Sequence, residues 1–196
     1  MKKNILTVVM AFTFGFVNAQ EKADMAFGVK GGLNISTITN ADVDGVNSKS
    51  LVGFHVGFFG EFMISNTFAI QPEVLYSAQG TKFEFEGLDG DLKLDYITIP
   101  VMAKYYVADA FSLEVGPQIG FLVSAKAKSG GESEDVKDEL KSTDVSLNFG
   151  LGYDITENFM IGARYNFGLT RLQDELFPDE DESKNSVFQI SIGYKF

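Results

Sequence analysis

SVFQISIGYKF, Ser186 to Phe196, places a large apolar residue at every second position: Phe188, Ile190, Ile192, Tyr194 and Phe196. Between them stand Gln189, Ser191, Gly193 and Lys195. Successive side chains of a strand point to opposite faces, so this stretch predicts a strand with one apolar and one polar face. A strand of that kind covers either a protein core or lipid, and the alternation by itself fits both.

The same period recurs along the chain in AFGVKGGLNIS (26–36), LVGFHVGFFGEF (51–62), FAIQPEVLYS (68–77), YITIPVMAKYY (96–106), FSLEVGPQIGFLVS (111–124), DVSLNFGLGYDI (144–155) and FMIGARYNFGLT (159–170). With the last stretch these make eight strands. The connections fall into two kinds. Ile64–Phe68, Val107–Phe111 and Ile155–Phe159 are short, each running from a β-branched residue through a small polar turn to a Phe. Thr37–Ser50, Gln79–Asp91, Lys126–Thr143 and Arg171–Asn185 are long and polar. Long and short alternate strictly, so all short turns share one end with both termini. An even strand number with short turns on one side and longer loops on the other is the pattern of an outer-membrane barrel.

The expected fold class is therefore all-β: an eight-stranded antiparallel up-and-down transmembrane β-barrel with short periplasmic turns and long extracellular loops. The alternative is a soluble secreted lipocalin-like binder, in which the apolar residues point inward and the outside is wet. Three features favour the membrane. The polar set is dominated by Gly, Gln, Asn and Ser, the short and long connections segregate, and the chain finishes on Phe196 with Tyr194 before it. Pro72 and Pro100, which have no N–H, predict locally irregular points such as bulges. Phe62, Phe68, Tyr76, Tyr105, Phe111 and Phe159 lie near strand ends, where interfacial aromatic girdles form.

Met1–Ala19 has a basic start (Lys2, Lys3), an apolar run and Val17-Asn18-Ala19, the layout of a cleaved secretory signal peptide. Residues 20–196 are then one barrel domain. Without the two lysines the formal charge goes from −11 to −13, which excludes nucleic acid as a partner. The chain has no cysteine, so neither disulfides nor thiolate chemistry enters. Its 20 Gly beside 19 Phe and 7 Tyr suit close packing of small against large residues in a sheet.

GVKGGLNIST (28–37), IQPEVLYSAQG (70–80), YITIPVMAKYY (96–106), VGPQIGFLVSAK (115–126) and FQISIGYKF (188–196) together resemble the PorT family of outer-membrane barrel proteins. The resemblance runs over essentially the whole chain after residue 19. It implies a small barrel in a Gram-negative outer membrane. Through the founding member it also implies an accessory role in type IX protein secretion.

Lys30, Glu61, Glu73, Lys104, Glu114 and Arg164 fall on the polar faces. In an eight-stranded barrel the lumen admits side chains and little else. Three acids and three bases confined there predict a paired network that plugs the barrel; the competing reading is a polar path, which would make the protein a narrow pore for ions or small solutes. His55, between Gly53 and Gly57, is read as a packed lumen residue, and no nucleophile set accompanies it, so no enzyme activity is expected. Asn40, Asp42, Asp44 and Gly45 match the first half of a calcium loop, but Leu51 stands where its bidentate Glu belongs, so no metal or cofactor is expected. The acidic run Pro178–Ser183 reads as a solvated outer loop. EDVKDELK (134–141) sets Val136 and Leu140 four apart and predicts a short helix over the barrel mouth. The function expected is that of a non-enzymatic structural or interaction barrel. Its partners would be outer-membrane lipids and a protein reached through the extracellular loops, and the chain would be a monomer.

Overall fold

The computed structural model describes residues 25–39, 46–85, 88–129, 132–171 and 184–196. Among the described residues nine strands form a single antiparallel sheet: β1 (Met25–Thr39), β2 (Val46–Ser65), β3 (Phe68–Phe85), β4 (Leu88–Ala108), β5 (Phe111–Ser129), β6 (Glu132–Asp135), β7 (Thr143–Asp154), β8 (Phe159–Arg171) and β9 (Lys184–Lys195). The order β4-β3-β2-β1-β9-β8-β7-β5 is closed by pairing of β4 with β5, which gives a ring of eight. β6 is a short spur on β5. The region expected to be a signal peptide, the Asn40–Gly45 part of the calcium-like loop and the Pro178–Ser183 run lie outside the described residues.

The face assignment is that of a barrel in lipid. Phe58, in the middle of the apolar run of β2, is 69% exposed, and Leu33, Val52, Leu151 and Ile192 are likewise exposed. Lys30, Asn34, His55, Glu73, Asn148 and Gln189 are buried. This is the reverse of the lipocalin arrangement, and the soluble alternative is set aside on that ground. Aromatic pairs collect at the turn end: Phe27 with Phe62, Phe159 with Tyr194, and Tyr194 with Phe196, with centroids 6.1, 5.0 and 5.7 Å apart. The turns there are tied down by backbone bonds such as Tyr106 N–H to Thr67 O and Phe196 N–H to Phe27 O, both 2.8 Å.

Three details depart from the expected pattern. First, the irregularity at the prolines is an interrupted ladder and not a bulge. Pro72 pairs with Val101, and the ladder resumes in the same register at Leu75 and Thr98. Pro100 faces the gap between them, where a missing N–H removes a rung without adding a residue. The register shifts fall elsewhere, among them Ser50/His55 in β2–β3 and Asp95/Tyr96 in β4–β5. Second, much of the long polar connections is strand. Gln79 to Phe85 pairs residue by residue with Leu94 to Leu88, and Lys126–Ser129 pairs with Glu132–Asp135. A ribbon made of the ends of β2 to β5, with β6, thus extends beyond the ring. Third, the short helix expected over Glu134–Lys141 is a single 3-10 turn, Lys137–Glu139, because β6 takes the residues before it. Val136 and Leu140 still act together: both pack on a buried cluster of Ile38, Leu94, Tyr96, Leu122 and Ala125 that caps the lumen at the loop end.

Replacing Phe58 by Arg puts a charge on the lipid face mid-strand and is expected to cost about 2–4 kcal/mol in urea unfolding from phospholipid bilayers. The same change at Lys82, beyond the ring, is expected to cost almost nothing.

Candidate functional site: the lumen network

Inward positions of consecutive strands stack as layers along the barrel. The charged layers lie nearest the short turns. At their centre is Glu73 on β3. The Arg164 guanidinium reaches it from β8, on the opposite side of the ring, with Nη2–Oε1 at 2.8 Å and Nη1–Oε2 at 3.1 Å. Arg164 Nη2 also donates to Glu114 Oε2 on β5 at 3.0 Å. Lys30 Nζ on β1 sits 3.2 Å from Glu73 Oε2. This forked geometry lets one guanidinium hold two carboxylates at once.

The next layer repeats the logic. Lys104 Nζ donates to Glu61 Oε2 and, at 3.1 Å, to Gln71 Oε1. Lys195 Nζ donates to Glu61 Oε1 at 2.9 Å and to Asp154 Oδ2 at 3.1 Å. Tyr106 O–H donates to Glu61 Oε2 at 3.0 Å. Gln71 joins the layers, since its Nε2 donates to Glu73 Oε1 at 2.7 Å. Lys104 is also 3.8 Å from Glu114 Oε1. The six residues singled out from the sequence therefore meet in one connected network.

Four members were not singled out: Gln71, Tyr106, Asp154 and Lys195. Asp154 follows Gly152 on the polar set of β7, and Lys195 follows Gly193 on that of β9, so the alternation already held both within the quoted stretches. With them the network holds, among the described residues, four acids and four bases. Gly152 leaves the space: a Cβ there would lie 2.9 Å from Glu114 Oε1 and 2.6 Å from Ser112 Oγ.

Above the ion network most inward side chains are neutral, and the buried Asp144 near the loop end accepts from the Thr170 hydroxyl at 2.8 Å. His55 Nδ1 meets Asn34 Oδ1 and its Nε2 meets Ser191 Oγ, both at 2.8 Å. Asn34 Nδ2 donates to Ser77 Oγ and to the carbonyls of Phe54 and Ala78, which turns its oxygen towards the ring. That fixes the proton on Nδ1 and leaves Nε2 to accept from Ser191. Higher still, Asn166 bonds Ser146 and Asn148, and Asn185 bonds Gln79. Leu51, at the calcium-loop position that would need a Glu, is buried.

The family described as outer membrane protein beta-barrel domain matches residues 18–174. The chain belongs to that family, and its place is the outer membrane. No curated protein sequence matches it. Among solved structures it is similar to Ail, the attachment invasion locus protein of Yersinia pestis, at 21% identity and a TM-score of 0.50, over 88% of this chain and 99% of that one. It is also similar to Neisserial surface protein A at 14% identity and a TM-score of 0.54, over 87% of this chain and 97% of that one. At these identities the likeness is one of fold.

Arg164→Ala leaves Glu73 and Glu114 short of their shared partner in a closed space. It is expected to lower the unfolding free energy in detergent by about 3–5 kcal/mol. A double replacement, Arg164→Met with Glu114→Leu, is expected to cost less than the sum of the two single changes, which urea titration of the four proteins measures.

Proposed function

We propose that this member of the outer-membrane barrel family is a closed, non-enzymatic scaffold that acts through what it presents at the cell surface. The observation that carries this reading is the lumen network. Its acids and bases are matched four to four, and each carboxylate is held by a cation on another strand. An ion crossing the lumen would have to displace these pairs, and each breakage in so dry a space costs several kcal/mol. The apolar cap under Val136 and Leu140 adds a second barrier at the loop end.

The Ser191–His55–Asn34 relay has the order of a nucleophilic set, yet all three residues are buried in the filled lumen. A substrate would have to unpack the barrel to reach Ser191, so the relay serves packing and not hydrolysis. The PorT-like motifs support an accessory role in type IX protein secretion, exerted by a monomer through a protein that docks on the outer segment Glu132–Ser142. The layout of Met1–Ala19 supports export with cleavage after Ala19.

Planar-bilayer recording is expected to show no discrete conductance for the wild-type barrel. Steady single-channel steps would reverse the reading in favour of a narrow pore. Native purification of the tagged protein in mild detergent is expected to retain a stoichiometric protein that is lost on deleting residues 132–142. N-terminal sequencing of the same preparation is expected to begin at Gln20.

A further inference from the structure

The ribbon beyond the ring carries charge in a pattern that the sequence period alone misplaces. On β2 the inward residues are odd-numbered (His55, Glu61), and on β5 they are even-numbered (Glu114, Gln118). By that parity Lys49, Lys126 and Lys128 would point into the barrel. The register shifts Ser50/His55 and Asp95/Tyr96 change the parity just before the ribbon begins. Beyond them Lys49 stands beside Lys82, Lys93 beside Lys126, and Asp91 between Lys82 and Lys128. Residues opposite one another in register share a face. Lys82, Lys93, Lys126 and Lys128 are exposed, while Leu94 and Ala125 on the other face are buried. Two bulges thus re-aim three lysines outward, which is a known use of a bulge.

The outcome is five lysines on one face of four neighbouring strands, in a chain of formal charge −11. Among the described residues the acidic side chains between them are Asp91, 3.5 Å from Lys93, Asp95, which bonds the Tyr76 hydroxyl, and Asp135, opposite Lys126. Immediately below the lysines, on the same outward face, are Val52, Tyr76, Ile97 and Val123, where the apolar belt ends. Lysines lining the top of a lipid-facing belt sit at headgroup depth, with stems lying along apolar surface and ammonium groups in the polar layer.

We propose that this face is a binding site for the phosphorylated headgroup of an anionic glycolipid in the outer leaflet. Two arguments fix the occupant. The patch is positive on an otherwise acidic protein, and it is continuous with the surface that lipid already covers. A clustered set of lysines at a bilayer surface is the electrostatic arrangement that retains anionic headgroups. The proposal rests on the short turns facing the periplasm, and it is independent of whether the lumen conducts.

The test uses the full chain reconstituted in phosphatidylcholine bilayers, with and without bis-phosphorylated lipid A. The readout is the midpoint of heat-induced loss of the compact band on gels. Lipid A is expected to raise the midpoint at low salt and to do so much less at high salt. The fourfold variant Lys82→Gln, Lys93→Gln, Lys126→Gln, Lys128→Gln is expected to match wild type in phosphatidylcholine alone and to lose most of the rise. The corresponding fourfold Arg variant is expected to keep it. Should the Gln variant fail to fold, single Lys126→Gln and Lys128→Gln changes with the salt titration give the same discrimination. An equal rise in wild type and Gln variant would overturn the proposal, as would no rise in wild type. Heparin added to phosphatidylcholine bilayers and giving the same rise would also overturn it, by assigning the patch to a soluble polyanion.

Discussion

The pairing of β4 with β5 is the contact on which the rest depends, because it closes the ring. Lipid offers backbone N–H and C=O groups no alternative partner, so a sheet in the bilayer has no tolerable edge. Closure at eight strands then fixes a lumen that side chains must fill. Once that space is dry, a charge on the inner face needs a partner from across the ring. Arg164 on β8 therefore reaches Glu73 on β3, diametrically opposite, while Lys104 and Lys195 converge on Glu61 from either side. Ladders join strands that are neighbours; most pairs of the ion network join strands that are not. The two systems constrain the cross-section together.

This division explains what was legible in the sequence. Alternation at period two is imposed by two different solvents, lipid outside and a packed polar lumen inside, so it survives in every strand of the ring. The eight strands, the turn end and the six charged lumen residues all follow from it. Which acid pairs with which base does not, because strand order in the ring brings Glu73 to Arg164 across 91 positions of sequence. The partners Asp154 and Lys195 stood at the last polar positions of their strands, where polar residues look like turn residues.

The ribbon was not legible for a different reason. Gln79–Asp91 and Lys126–Asp135 are rich in Lys, Asp and Glu, which suggests loop, although Phe83, Leu92 and Leu94 keep a period of two within them. Charge hid the strand. A bulge also leaves no compositional mark: one extra residue between Ser50 and His55 reverses the faces of everything that follows, and the sequence on both sides reads as ordinary strand. The lid segment failed as a helix because β6 claims Glu132–Asp135, yet Val136 and Leu140 dock as an apolar pair in either conformation.

At the level of the register shifts the polarity of the wall inverts. Below them β4 and β5 carry Lys104, Glu114 and Gln118 inside and Val101, Val115 and Ile119 outside. Above them Leu94, Leu122 and Ala125 are inside, and Lys93, Lys126 and Lys128 are outside. The lower part obeys the rule for a barrel in hydrocarbon, and the upper part obeys the rule for a protein in water. One continuous pair of strands can satisfy both only if the two faces exchange roles where the hydrocarbon ends. The bulge at Val123 of β5, opposite Asp95 and Tyr96, lies at that exchange. It therefore marks the upper limit of the membrane-embedded wall more sharply than any single residue does, and it sets the lysine rows at the boundary itself.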